Sequence, residues 1–212
     1  MPRWSRIERD LRGQGIRLIA GVDEVGRGPL AGPVVACAVI MPPDAPAIRG
    51  VADSKQLSAR ERERLAPLIR ARAVSCALGA ASVREIERLN IAGATALAIR
   101  RAVVRLGVAG DLVLLDGLPM KQLERLGVLH LAVVDGDARC YSIACASIVA
   151  KVTRDRLLAA LDPRYPAYGW ARNAGYGTRH HIAALRDTGP SPHHRPSFCA
   201  TALAGAMEHR LP

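Results

Sequence analysis

Short apolar runs that end in glycine or an acid alternate along this chain with stretches of helical spacing. Residues 16–22 and 34–40 read as two buried strands, and the Gly/Pro connection between them predicts an antiparallel hairpin. Residues 73–80, 112–115 and 128–134 supply three more strands; the run at 112–115 is wholly apolar, the type buried on both faces. Capping boxes at Ser58/Glu61 and Ser82/Glu85 start helices. Pro67 is expected to kink or end the first, and the second is expected to be short, to about Leu89. Asn90 can N-cap a helix over 91–106, with Ile91, Thr95, Ile99, Ala102, Val103 and Leu106 facing inward. A small helix or loop fills 118–126. A long helix follows over 142–161, with Ser147, Lys151 and Asp155 on one face at i, i+4 spacing. Thr178 caps a helix that stops before Gly189, and a Pro-rich link leads to a last helix over 197–207. Residues 4–14 alternate charge and suggest a short surface helix. The order implies an α/β core with its sheet complete by about residue 134 and a helical C-terminal appendage, divided as 1–161 and 162–212.

Composition narrows the class. Half of the 212 residues are hydrophobic, enough for a sizeable core, and Phe198 is the only phenylalanine, so that core is aliphatic. The formal charge of +11 suits a polyanion, nucleic acid before membrane. No apolar run reaches the roughly 18 residues of a membrane span, and the charged start of the chain is unlike a signal peptide. Five cysteines without a CxxC pair read as buried free thiols of a reducing cytosol, not as disulfides or a zinc site.

Candidate chemistry concentrates between residues 16 and 40. Asp23 and Glu24 end an apolar run, and the basic turn Gly26-Arg27-Gly28 follows at once. The Gly21 to Gly26 interval matches a phosphate-binding loop, but Arg27-Gly28 stands where Lys-Ser/Thr is required, so nucleotide cradling is rejected. A carboxylate metal site fits better. Asp116 also ends a strand, and Asp135 and Asp137 follow another. Spacing leaves open which of these two takes part, and Asp-Gly pairs are also ordinary turn formers. Oxygen-only ligands favour Mg²⁺ or Mn²⁺ over zinc. Strand neighbours point to opposite faces, so Asp23 and Glu24 share a site only if the strand ends or bends between them. Lys55 in a loop and Lys151 on the long helix could contact phosphates, although a solvated lysine, or a Lys151–Asp155 pair, is the default. Tyr176, in a Gly-rich loop, could stack on a sugar or base or serve in packing. The adjacent pairs His180-His181 and His193-His194 read as surface histidines.

Taken together, GVDEVGRGPLAGPVVACAV, DSKQLS, LNIAGATALAIRRAV, LLDG, GDARCYSIACASIVAKVTRD, YGWARNAGYGTRHH and HRPSF closely resemble bacterial ribonuclease HII, the type 2 ribonuclease H, over about residues 16–198. The resemblance implies a ribonuclease H-like fold: a mixed five-stranded sheet flanked by helices, with a helical C-terminal part that contributes to the substrate site. It implies endonucleolytic cleavage of the RNA strand of RNA–DNA hybrids and cleavage 5′ of single ribonucleotides in duplex DNA, leaving 5′-phosphate and 3′-hydroxyl ends. Two Mg²⁺ or Mn²⁺ ions are implied, held by Asp23, Glu24, Asp116 and Asp137, the last chosen over Asp135 because it directly precedes the A-x-x-x-SIA segment. Gly26, Arg27 and Gly28 match the turn that reads the ribose 2′-hydroxyl, Tyr176 the junction-sensing tyrosine, and Lys55 a phosphate contact. Asn90, Ser147 and Lys151 match motifs near the substrate. A cytoplasmic monomer is expected. Departures from the family pattern are small: Cys145 replaces a usual alanine, and DGDARC a more usual KGDAKS, so Arg139 stands for lysine. The rivals are a DNA-cutting nuclease of the same fold, the type 3 enzyme, which usually carries an N-terminal domain, and a non-catalytic nucleic-acid-binding module.

Overall fold

The hairpin that opens the sheet carries the acid pair. In the computed structural model, which describes residues 6–108 and 110–208, helix α1 (Arg6–Gly13) leads into β1 (Ile19–Val25), which returns antiparallel as β2 (Val34–Ile40). Helix α2 (Ala59–Arg72) crosses to β3 (Ser75–Ala81), antiparallel to β2. Helix α3 (Val83–Arg105) brings the chain to β4 (Leu112–Asp116), parallel to β1. The short α4 (Lys121–Arg125) leads to β5 (Leu131–Val133), parallel to β4. The result is a mixed five-stranded sheet in the order β3-β2-β1-β4-β5. Helices α5 (Gly136–Arg139) and α6 (Tyr141–Leu161) follow, then two 3₁₀ turns at Asp162–Arg164 and Pro166–Tyr168. Helices α7 (Trp170–Asn173), α8 (Arg179–Thr188) and α9 (Pro196–Glu208) complete the chain.

Alternation along the strands sorts the core into two layers. Ala20, Val22, Ala36 and Ala38 face α3, meeting Ala94, Ala98 and Ile99. Cys37 and Val39 face the opposite way, toward α2 and α6, and pack on Leu65, Ile69, Ala144 and Ile148. Small residues let these helices lie close. One close approach is at Gly21, where a Cβ would run into the Ser142 main chain and hydroxyl at the start of α6. A further apolar cluster joins Leu30 and Ala31 to Leu158, Trp170, Leu185 and Cys199, so the C-terminal part packs on the β1–β2 connection and the end of α6.

Several boundaries differ from expectation. Strand β1 runs three residues later than 16–22, because pairing of Asp23 with Cys37, Glu24 with Ala36 and Val25 with Val35 carries the ladder past the acids. Pro67 does not end α2, which continues to Arg72 and buries Leu65, Ala66 and Ile69. The two helices expected around Asn90 form one element with a kink there (φ 57°, ψ 174°), and Asn90 Oδ1 still caps the second half by accepting from the Ala92 and Gly93 amides at 2.9 and 3.1 Å. Strand β5 shrinks to three residues, since only Leu114–Asp116 reach it. The expected helix over 4–14 begins before the described residues, and it is not wholly a surface element. Glu8 is buried, and its carboxylate accepts from the Tyr141 and Ser142 amides at 2.7 and 3.0 Å, capping α6 from a distant part of the chain. All five cysteines are free thiols. Among the described residues, no helix is long and apolar enough to cross a membrane.

Candidate active site

Three acids converge where β1, β4 and α5 meet. The β1–β4 register pairs Val22 with Leu115, so the next step sets Asp23 beside Asp116 on the α6 face. Asp116 then accepts a 2.7 Å hydrogen bond from the Gly136 amide, which fixes the turn into α5 and brings Asp137 inward. One carboxylate oxygen from each of Asp23, Asp116 and Asp137 lies within 4.8 Å of the others. Asp135 stays outside and exposed, in the left-handed region at φ 53°.

Strand β1 continues through both Asp23 and Glu24; Glu24 is not one of the three acids whose oxygens meet, and its carboxylate pairs with Arg27 Nη1 at 3.2 Å. It is nonetheless near: its charge helps to raise the Asp23 pKa, and Asp116 helps to raise its own. Burial is the main cause for all three, pushing Asp23 well above the usual carboxylate range and Glu24 and Asp116 upward too; mutual repulsion adds to it. Lys55 Nζ meets Asp137 Oδ2 at 3.0 Å from an otherwise exposed side chain. The Ser147 hydroxyl favours the charged form of Asp23 and lies 2.7 Å from that of Ser54, so α6 and the 51–57 loop meet beside the acid. Buried, oxygen-only and mutually repelling, this donor set fits a hard divalent cation.

The Gly26-Arg27-Gly28 turn leaves the same strand. Gly26 has φ +91°, and a Cβ there would strike the Arg154 guanidinium. Arg154 is fully buried and donates to the carbonyls of Ala31, Pro33 and Ala174 at 2.8 to 3.0 Å. Arg195, also fully buried, donates to Gly26, Arg27 and Gly32 carbonyls at 2.6 to 3.0 Å. Burial lowers the Arg195 pKa to about 10, so it remains charged at neutral pH. These two arginines hold the turn, and sequence reading passed over both. An arginine is exposed by default, and nothing in its spacing announces a buried one.

Tyr176 comes to the opposite side of the turn, its ring 3.9 Å from where a Gly28 Cβ would stand. It shares a cavity of about 490 Å³ with Lys151, Arg62 and Asn173. Lys151 is paired with Asp155 at 2.8 Å. Asn90 stands apart: among the described residues, no hydrogen bond or ion pair joins it to the acids, and its amide oxygen is engaged by the α3 cap. The structure therefore gathers Asp23, Asp116, Asp137, Lys55 and Ser147 at one point, with Glu24 and the basic turn adjoining and Tyr176 and Lys151 beyond. The reading of His181 and His194 as surface residues is corrected, because both are buried beneath the Tyr176 loop.

Acids gathered at the strand ends of this mixed sheet, beside a basic turn, fit a divalent-metal site that meets a phosphate, the arrangement of a metal-dependent nuclease. A family model described as ribonuclease HII matches residues 20–201. The chain is 56% identical over 198 residues to ribonuclease HII of Albidiferax ferrireducens, covering 92% of this chain and 91% of that one. It is 53% identical to the Granulibacter bethesdensis protein of the same name, covering 92% and 87%. Its fold matches the crystal structure of ribonuclease H2 from Pyrococcus horikoshii with a TM-score of 0.71 and 25% identity, over 90% of this chain and 99% of that one. A structure of a type 3 enzyme in complex with Mn²⁺ has a TM-score of 0.67 at 21% identity, over 91% and 71% of the two chains, a likeness of fold. The chain belongs to the ribonuclease HII family. It is a ribonuclease H, a divalent-metal-dependent endonuclease acting on the RNA strand of RNA–DNA hybrids.

Proposed function

We propose that this enzyme also cuts 5′ of single ribonucleotides embedded in duplex DNA, and that it leaves 5′-phosphate and 3′-hydroxyl ends on every substrate. The observation that carries the reading is the adjacency of the acid cluster to the Gly26–Gly28 turn: three carboxylate oxygens lie within 4.8 Å of one another at the end of the strand from which the turn departs. A site that grips the scissile phosphate thus adjoins one that can feel a single 2′-hydroxyl, the group that separates RNA from DNA at one position.

In this reading Asp23, Glu24, Asp116 and Asp137 hold two Mg²⁺ or Mn²⁺ ions. Divalent ions so bound supply an activated water and neutralise charge at the leaving 3′-oxygen. Ser147 keeps the Asp23 carboxylate oriented, and Lys55 keeps Asp137 oriented until it meets a substrate phosphate. Gly26 and Gly28 let main-chain groups approach the ribose, while Arg27 pairs with Glu24 and so ties sugar recognition to the acids. Tyr176 packs on the sugar next to the ribonucleotide, and Lys151 contacts a backbone phosphate. Asn90 belongs to the outer substrate surface. The C-terminal part, 162–212, completes the substrate site through Tyr176, and the free thiols suit a monomer working in a reducing cytoplasm.

The test is cleavage of a duplex carrying one ribonucleotide, with Mg²⁺, with Mn²⁺ and with chelator, and with the product ends mapped. One cut on the 5′ side, a ligatable pair of ends and no cutting with chelator are expected. Cleavage of continuous hybrids alone would reject the single-ribonucleotide reading. Tyr176→Ala is expected to lose roughly tenfold or more on the single-ribonucleotide duplex and less on the continuous hybrid; equal losses would remove the junction role.

A further inference from the structure

His181 and His194 are buried, at 0% and 2% exposure, and no step above uses them. Their rings join into one hydrogen-bonded relay with a single consistent set of protons. The Ser191 amide donates to Nδ1 of His194 at 2.9 Å, and the Ser191 hydroxyl lies at the same distance. That nitrogen is therefore an acceptor, and the His194 proton sits on Nε2. It points to Nε2 of His181 at 2.9 Å, which also accepts from the Trp170 indole at 3.3 Å. The His181 proton is thereby placed on Nδ1, and it is donated to the Tyr176 carbonyl at 2.8 Å. Every ring nitrogen is engaged and both imidazoles are neutral. Tyr168 packs edge-on against both rings, with centroids 5.8 Å from His181 and 4.5 Å from His194.

The relay ends where substrate reading begins. The Tyr176 peptide is held from one side by the Asn173 carbonyl, which accepts from its amide at 2.9 Å. Its neighbour Gly175 accepts from the Leu30 amide at 2.8 Å, and the His194 main chain bridges to Ala31. The Tyr176 loop and the connection that follows Gly28 are thus tied to the same two histidines. Without their side chains the loop would keep the Thr178 helix cap and the main-chain bond from Leu30 to Gly175, but lose the side-chain hydrogen bond that holds the Tyr176 carbonyl.

We infer that His181 and His194 are positioning residues for Tyr176: their relay sets the distance between the Tyr176 ring and the Gly26–Gly28 turn, and with it the preference for a lone ribonucleotide over continuous RNA. The inference rests on the reading of Tyr176 as the junction contact, and the experiment separates the two. The quantity measured is the ratio of kcat/KM on a duplex with one ribonucleotide to kcat/KM on a continuous RNA–DNA hybrid. It is determined for the wild type, Tyr176→Ala, His181→Leu, His181→Asn and His194→Gln, each checked for folding by circular dichroism.

His181→Leu is expected to lower the ratio by about tenfold. His181→Asn, which keeps a donor near the Nδ1 position, recovers most of it. His194→Gln, which keeps the donor toward His181 but not the acceptor for Ser191, lowers it by about threefold. A purely structural role would depress both substrates together and leave the ratio fixed; an unchanged ratio in a folded His181→Leu overturns the inference. If Tyr176→Ala lowers the ratio while the histidine variants do not, the tyrosine reading stands and the relay fails. If Tyr176→Ala leaves it unchanged, both fail. Should His181→Leu not fold, His194→Gln decides by the same ratio.

Discussion

Asp23 shows at the scale of one residue how function and stability oppose each other. Burial and the charges of Glu24 and Asp116 push its pKa well up, so the folded chain without metal favours its protonated form. A folded pKa above the unfolded value means stability that is present at low pH and lost as pH rises through the folded value. Asp23→Asn removes that loss. With chelator present at neutral pH, the variant is expected to be more stable than wild type by roughly 1–2 kcal/mol, with no hybrid cleavage and with hybrid binding retained. Thermal unfolding in EDTA checks the first part; a lower Tm for the variant would contradict it. Metal-dependent turnover by the variant would exclude Asp23 from the site. Arg154 and Arg195 make the complementary case. Each is a buried cation whose hydrogen bonds go to main-chain carbonyls, a pairing that no residue-type rule anticipates.

At the scale of elements, the site depends on where α6 begins. Gly21 lets that helix lie against β1, and Glu8 on α1 supplies the cap that its first turn lacks locally, since no side chain at Cys140 does so. Glu8→Ala is expected to cost about 2 kcal/mol, because two main-chain donors are left buried and unpaired. Urea denaturation measures this, and a loss below about 0.5 kcal/mol would show the cap to be dispensable. The C-terminal helices carry a pH signature of their own. Burial lowers the His194 pKa to about 4 from an ordinary 6.5. Here the unfolded chain binds the proton more readily, so stability is full above about pH 6.5 and falls as the pH drops toward 4. Relative to His194→Gln, which does not titrate there, the wild type should lose roughly 3 kcal/mol between pH 7 and pH 4. A stability difference that stays flat over that range would mean that folding leaves the His194 pKa unshifted.

At the scale of the whole molecule, a net charge of +11 suits an enzyme that must hold a polyanion before it finds one sugar. Hybrid binding by the Asp23→Asn variant should weaken by roughly ten- to a thousandfold between 50 and 200 mM salt, a slope readable by fluorescence anisotropy. A salt-independent Kd would place the grip in the site alone. Much of this architecture was legible from the chain itself. Short apolar runs marked the five strands and helical spacing the long helices, because a strand covered on both faces is apolar throughout while a helix buried on one face keeps a 3.6-residue period. Capping boxes at Ser58 and Ser82 marked two helix starts that the structure keeps, since a cap is a local bargain between neighbours. The acids were legible as residues that an apolar strand end does not favour without a purpose. Their assembly was not. That Asp137 turns inward while Asp135 stays in solvent, and that Glu24 stands off the group of three, follows from strand register and from the Gly136–Asp116 hydrogen bond. Burial of Glu8, Arg154, Arg195, His181 and His194 was likewise invisible, because each is satisfied by partners far along the chain. The sequence alone determined the strands, the helix starts and the stock of acids and basic turn residues, all local consequences of side-chain type. Only the tertiary structure decided which acids share a site and which buried polar groups hold it, because those depend on non-local register and on hydrogen-bond partners that sequence spacing does not encode.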